Sequence, residues 1–329
     1  MANTGGPPPA PSPPVAIGYM SSHVLAQLDA HRFHHEKQGI SPSSIPPLIV
    51  GVQGPQGSGK TFLTSILRDS LQSAPHDLSV AVLSLDDLYL THDGLVALAD
   101  AHPQNALLKG RGQPGTHDVP LGTQLLNKLK RINDASGVGV QVELPSFDKS
   151  LFGGEGDRAP SGAVVRSPVD VVLFEGWCTG FYPISEEEVE RRFTAPVTGL
   201  GDTFFETRGY RVEDVLDVNE RLKGYISWWD LFDAFIQIKP PDEHPYTHIY
   251  QWRLQQEHNM KARNGGIGMT DEQVTVFVDR YIPGYVFFGD GVTEGYNEAP
   301  GQRKVPPWIG HGLRVQIGEK REVLSTSTF

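Results

Sequence analysis

The stretch Gly54-Pro55-Gln56-Gly57-Ser58-Gly59-Lys60-Thr61 sets two glycines, Gly54 and Gly59, on either side of four residues and directly ahead of a lysine and a threonine. Glycines with that spacing let the backbone turn so that successive N–H groups face phosphate oxygens, and a helix starting at Thr61 adds its positive end. Lys60 then reaches the β and γ phosphates, and the Thr61 hydroxyl ligates Mg²⁺. The implied chemistry is the binding of a nucleoside triphosphate. Two acidic positions stand where such a site needs them. Asp86 and Asp87 follow the apolar run 78–85. Consecutive side chains along a strand point in opposite directions, so one of the pair faces the phosphates, and Asp86 is the expected one. Glu175 ends a second run, 169–175. An acid there orients a metal-bound water beside a phosphate loop, and Gly176 permits close approach of the backbone.

Further polar residues follow both acidic positions. Arg111, Lys149 and Arg158 are candidates for holding a small anionic acceptor, because arginine offers a carboxylate a two-pronged contact. His117 and Asp118 could hydrogen-bond acceptor hydroxyls or pin their own loop. His31, His34 and His35 read as a solvated helical face, Cys178 as a packed residue, and Trp228 with Trp229 as core.

The elements around these residues read as an α/β fold. Met20, Val24, Leu25 and Leu28 recur at helical spacing between Ile17 and about Gln38, ahead of a short apolar strand at 46–52 and a helix through Ile66 and Leu67. The runs at 78–85 and 169–175 are continuously apolar, which suits parallel strands covered on both faces. Helical patterns occupy 121–132, 212–229, 248–263 and 271–281, and strands are expected at 233–239 and 313–317. Thr270 with Gln273, and Ser185 with Glu188, have capping-box spacing. Alternating strands and helices predict three layers around a mostly parallel sheet, with ligands at the carboxyl ends of the strands. Segments 91–120, 145–168, 194–210 and 289–310 read as long loops forming substrate and lid insertions. Residues 1–16, rich in Pro, Gly and Ser, read as a disordered tail, and 17–329 as one domain.

A formal net charge of −11 argues against general binding to nucleic acid or to a membrane surface, so an anionic ligand must meet a local cationic cluster. The single cysteine fits a reducing compartment. The start of the chain shows no basic region leading into an apolar core, and no arginine precedes Arg32. The expected location is cytoplasmic, with the nucleus reachable by diffusion. The oligomeric state is left open.

These motifs resemble the P-loop small-molecule kinases that include phosphoribulokinase, uridine kinase and pantothenate kinase, and most closely the eukaryotic D-glycerate 3-kinases with their fungal ATP-binding kinase relatives. The resemblance runs in order from about Pro46 to Tyr285. It rests on GPQGSGKT (54–61), SLDDLYLTH (84–92), LLKGRGQPGTHDVPL (107–121), SFDKSLFGGEGDR (146–158), LFEGWCTGF (173–181), VNERLKGY (218–225) and WRLQQEHNM (252–260). It implies the P-loop nucleoside-triphosphate-binding fold, with ATP and Mg²⁺ as cofactors. Asp86 is implied as the base toward the acceptor hydroxyl, with Tyr89 behind it. Arg253 and Arg263 are implied as lid arginines, with Lys261 close by. Leu88 stands where the wider family has Phe. The implied reaction is transfer of the γ-phosphate to a small polyol acid, D-glycerate first. A nucleoside, pantothenate or sugar-phosphate acceptor, or a nucleotide-binding regulator without transfer, are the alternatives.

Overall fold

Met20, Val24 and Leu28, each at most 2% exposed, form the buried stripe of α1 (Val15–Lys37). The computed structural model describes residues 14–134, 139–263, 265–299 and 301–329. The expected Pro-rich tail lies outside the described residues as far as residue 13, and α1 already begins inside its last two positions. β1 (Leu48–Gln53) is buried throughout and leads through the glycine-rich loop into α2 (Lys60–Gln72). Leu63, Leu67 and Leu71, four residues apart, face α2 inward.

A six-stranded sheet has the order β2 (Val80–Ser84), β7 (Val171–Gly176), β1, β8 (Ala234–Lys239), β11 (Gly312–Ile317) and β12 (Val323–Thr328). The first five are parallel, and β12 runs antiparallel along the edge. Alternation along β1 sends Leu48, Val50 and Val52 to the side covered by α1 and α2. Ile49 goes to the side of α4 (Val119–Lys130), α7 (Val212–Leu222) and α8 (Ile226–Trp229). Two covered faces are why these strands read as unbroken apolar runs. The register sets Val52 of β1 and Ser84 of β2 both beside Glu175 of β7. The loops after all three strands therefore leave from one edge, where the site lies.

The remaining helices are α3 (His92–Ala101), α5 (Glu186–Phe193), α6 (Phe204–Thr207), α9 (Thr247–Arg263), α10 (Asp271–Asp279), α11 (Ile282–Phe288) and α12 (Gly291–Glu294). Three antiparallel ribbons complete the described residues: β3 (Gln141–Glu143) with β6 (Val164–Arg166), β4 (Phe147–Asp148) with β5 (Asp157–Arg158), and β9 (Tyr296–Ala299) with β10 (Gln302–Lys304). Among the described residues, no helix is long and apolar enough to cross a membrane.

Several expectations change. Segment 91–120 is not all loop, because Thr91 caps α3 through Gly94 N. Only Leu95 of that helix is buried, so it carries no apolar stripe to read. The single helix expected over 212–229 is interrupted by a tighter turn at Lys223–Tyr225. The capping box at Thr270 closes in both directions, whereas at Ser185 only the bond to Glu188 N forms, because the Glu188 carboxylate pairs with Arg191 and Arg192.

Gly122, in the first turns of α4, lies against the Trp228 ring, where a β-carbon would come within 2.2 Å of Cζ2. Alanine at an exposed helical glycine stabilises by about 1 kcal/mol. Gly122→Ala should reverse that sign and destabilise by about 1–3 kcal/mol through overpacking, read as a lower urea midpoint.

Candidate active site

The phosphate loop is gripped from outside as well as by its own turn. Gly57 has a φ of 75° and sits against the start of α9: a β-carbon there would come within 2.6 Å of Arg253 N and of the Trp252 carbonyl carbon. Gly59, left-handed at φ 86°, is the N-cap of α2. Gln56 Oε1 accepts from the Tyr285 hydroxyl, and Gln53 Nε2 donates to the Trp177 carbonyl at 3.0 Å. Ser58 Oγ is buried with no hydrogen-bond partner among the described residues.

Glu175, 2% exposed, joins the loop to the sheet. Its Oε2 pairs with Lys60 Nζ, while Oε1 accepts from Thr61 Oγ1 at 3.1 Å and from Ser84 Oγ at 2.8 Å. The ends of β7 and β2 and the start of α2 thus meet on one carboxylate.

β2 stops at Ser84, and a 3₁₀ turn, Leu85–Leu88, carries the two aspartates. Asp86 Oδ2 lies 2.5 Å from Lys149 Nζ. Burial pushes the Asp86 carboxyl up, but the Lys149 and Lys60 ammoniums outweigh burial and bring it to about 2. Asp87 serves elsewhere: its Oδ1 accepts from Phe147 N at 3.0 Å and fixes the start of β4. Burial raises its pKa despite that bond. Asp86, the expected member of the pair, is the one beside Lys149 and Lys60, and a turn rather than strand alternation separates the two aspartates.

His117 is 3% exposed and stacks on the Tyr89 ring at 4.5 Å. Its Nδ1 lies 2.7 Å from the Tyr225 hydroxyl, which also accepts from Gly115 N at 2.8 Å. The His117–Tyr225 bond carries one proton that either atom can supply, and it sets the tautomer of the ring. Burial lowers the His117 pKa to about 3, so the ring is neutral. Nε2 has no partner among the described residues.

The other loop residues separate by what already engages them. Asp118 caps α4 through Leu121 N at 3.0 Å and meets Arg158 Nη2 at 3.2 Å. Arg158 also donates to the Tyr89 carbonyl at 2.9 Å. Arg111 donates to the Gly154 carbonyl at 2.7 Å and to that of Glu155. Lys149 and His117 stand beside Asp86; Asp118 and Arg158 are bound to each other. Arg253 has its backbone against Gly57, but its guanidinium pairs with Glu257 Oε2 at 2.7 Å, over the Phe277 ring. Arg263 is exposed at the end of α9. The described part of RNGGIGM (265–269) links α9 to α10, with Met269 N bonded to Glu257 Oε1.

Sequence reasoning missed Arg321. It sits in the turn between β11 and β12 at φ 62°, donating from Nε to the Gly57 carbonyl at 2.7 Å and from Nη2 to the Trp252 carbonyl at 3.0 Å. The turn around Gly318 could be guessed as a hairpin, but nothing local points across 264 positions to the phosphate loop.

No family model matches the chain. A solved D-glycerate 3-kinase from Cryptococcus neoformans is 41% identical and superimposes with a TM-score of 0.84, covering 96% of this chain and 100% of that one. The Saccharomyces cerevisiae protein named "Probable ATP-dependent kinase TDA10" is 38% identical over 245 residues, 74% of this chain and 78% of the yeast one. The chloroplastic D-glycerate 3-kinase of Arabidopsis thaliana is 36% identical over 255 residues, 76% of this chain but only 50% of the plant protein. With a glycine-rich phosphate loop at the end of β1, and that identity over nearly the full length of a solved relative, the chain belongs to the P-loop kinase family that contains D-glycerate 3-kinase and its fungal ATP-dependent kinase relatives.

Proposed function

We propose that this kinase transfers the γ-phosphate of ATP to a hydroxyl of a small polyol acid, converting D-glycerate to 3-phosphoglycerate, and that residues 17–329 act as a single catalytic domain. The observation that carries this reading is Asp86, kept ionised between Lys60 and Lys149 at the edge where the phosphate loop begins. The names of relatives 36–41% identical support glycerate as the acceptor.

In the proposed reaction the Gly54–Thr61 loop holds the phosphates, and Lys60 turns from Glu175 toward the β and γ groups. The acceptor hydroxyl lies against Asp86, which takes its proton as the oxygen bonds to the γ-phosphorus and ADP leaves. His117 Nε2, buried without a partner among the described residues, steadies the acceptor, and Lys149 and Arg253 screen the charge on the transferring group. The donors at Thr61, Glu175 and Asp86 are all oxygens, which fits a hard cation. Among the described residues no three His, Cys, Asp or Glu side chains form a cage, in keeping with an ion held partly by nucleotide phosphates. Mg²⁺ held through Thr61 and Glu175 would neutralise charge between the phosphates.

ADP release with D-glycerate, uridine, pantothenate and ribulose 5-phosphate, with Lys60→Ala as the blank, tests the reading. Glycerate-dependent ADP and phosphoglycerate are expected; turnover only with another acceptor overturns it. Asp86→Asn should leave the KM for ATP within about twofold and lower kcat by roughly 10²- to 10⁴-fold. Undiminished turnover removes Asp86 from the mechanism. Because the base must be ionised and its carboxyl lies near 2, the wild-type rate should show no acid limb from Asp86 at pH 5–8. Lys149→Met leaves burial opposed mainly by Lys60. The carboxyl should then rise by about one to three pH units, so that activity falls as pH drops through the new value. An unshifted profile of kcat/KM at saturating ATP would contradict this account of Asp86.

A further inference from the structure

The cations around Asp86 are nearly all matched to carboxylates. Lys60 pairs with Glu175, Lys149 with Asp86, Arg158 with Asp118, Arg208 with Asp279 and Arg253 with Glu257. Arg280, directly after α10, is an exception. It is half-buried and has no carboxylate partner among the described residues. Its Nε is fully buried without a hydrogen-bond partner. Among the described residues, the acceptor near its guanidinium is the Arg111 carbonyl, 3.5 Å from Nη2. Among the same residues, Arg111 meets backbone carbonyls and the Phe147 ring but no carboxylate.

Position and rigidity point the same way. The Arg280 carbonyl accepts from Gln113 Nε2, which clamps it to the loop that carries Arg111 and His117. The neighbouring Tyr281 is 7% exposed, with its hydroxyl against Gly112 and its ring edge-on to Trp177 at 4.9 Å. Burial raises the Tyr281 pKa to about 12; Arg280 and Arg111 act against burial and Asp86 adds to it. One hydroxyl therefore senses both arginines and the base. A guanidinium held partly out of water with an empty donor is costly unless an anion completes it, and its fork matches a carboxylate.

We propose that Arg280, with Arg111 beside it, receives the carboxylate of the acceptor while Asp86 faces its hydroxyl end. The assignment rests on the small-polyol-acid reading and names what selects it: an acceptor needs an anionic head as well as a hydroxyl. It adds Arg280 to Arg111, Lys149 and Arg158 as a carboxylate contact and favours it over Arg158, which Asp118 already engages.

The test is steady-state kinetics of wild type, Arg280→Gln and Arg280→Lys with D-glycerate and with glycerol, the uncharged analogue, at saturating ATP. Loss of a charge-assisted fork should raise the KM for D-glycerate about 10- to 100-fold in Arg280→Gln. The preference for glycerate over glycerol should fall by the same factor, with the KM for ATP unmoved. Arg280→Lys keeps the charge without the fork, and should recover part of the loss. The same pattern in Arg280→Lys alone supports the proposal if the glutamine variant does not fold. Glycerate turnover with an unchanged KM and an unchanged preference in either folded variant overturns the assignment and leaves the glycerate reading intact. A wild type that phosphorylates only uncharged acceptors overturns the reading itself, and the assignment with it.

Discussion

The Glu175 carboxylate, at the end of β7, gathers donors from two other segments: Lys60 and Thr61 at the start of α2, and Ser84 at the end of β2. It can do so because β7 lies between β1 and β2 with Val52 and Ser84 in register beside Glu175. With 2% of its surface exposed, the carboxylate depends on these contacts, since water cannot replace them. Removing one partner of such a pair typically costs about 3–5 kcal/mol. The sheet order, the burial of β7 and the path of the phosphate loop therefore stand or fall together.

A second set of contacts fixes the opposite side of the loop. α9 lies so near Gly57 that no side chain fits there, and Arg321 ties the Gly57 and Trp252 carbonyls together from the last hairpin. The C-terminal strands are thus part of the nucleotide-binding framework although none of their residues belongs to the glycine-rich motif. An antiparallel edge strand suits this purpose, because the tight turn it requires delivers Arg321 to the loop.

What was legible in the sequence follows from the range of the interactions. The glycine-rich loop could be read because each residue type answers to the same few phosphates, within eight positions. β1, β2 and β7 could be read because both of their faces are covered. β12 could not: its residues are half-exposed or exposed along an edge, so no apolar run marks it. α3 buries only Leu95 and looks like loop. Arg158 reads as a carboxylate binder and Asp118 as an acceptor contact or a loop pin; that the two bond to each other, and Asp118 to the start of α4, joins positions 40 apart and leaves no local mark. Arg280 was passed over for the complementary reason: a cation is distinguished by the partner it lacks, which no local spacing records.

The two lysine pairs at the site are unequal, and the inequality bears on how the proposed transfer could proceed. Lys60 and Glu175 have side chains 14% and 2% exposed, whereas Lys149 and Asp86 stand at 53% and 31%. Water and salt screen the second pair more than the first. Lys149 can therefore leave Asp86 more readily than Lys60 leaves Glu175 when an acceptor hydroxyl or a transferring phosphoryl group arrives. As it leaves, the carboxyl loses its strongest cationic neighbour and becomes a better proton acceptor. Lys60 gives up its deeper partner only to a polyanion that offers more than one oxygen. Glu175 meanwhile keeps Thr61 and Ser84, so the framework survives the exchange. The same arrangement that keeps Asp86 ionised without substrate thus lets each cation be reassigned when substrate supplies the stronger charge.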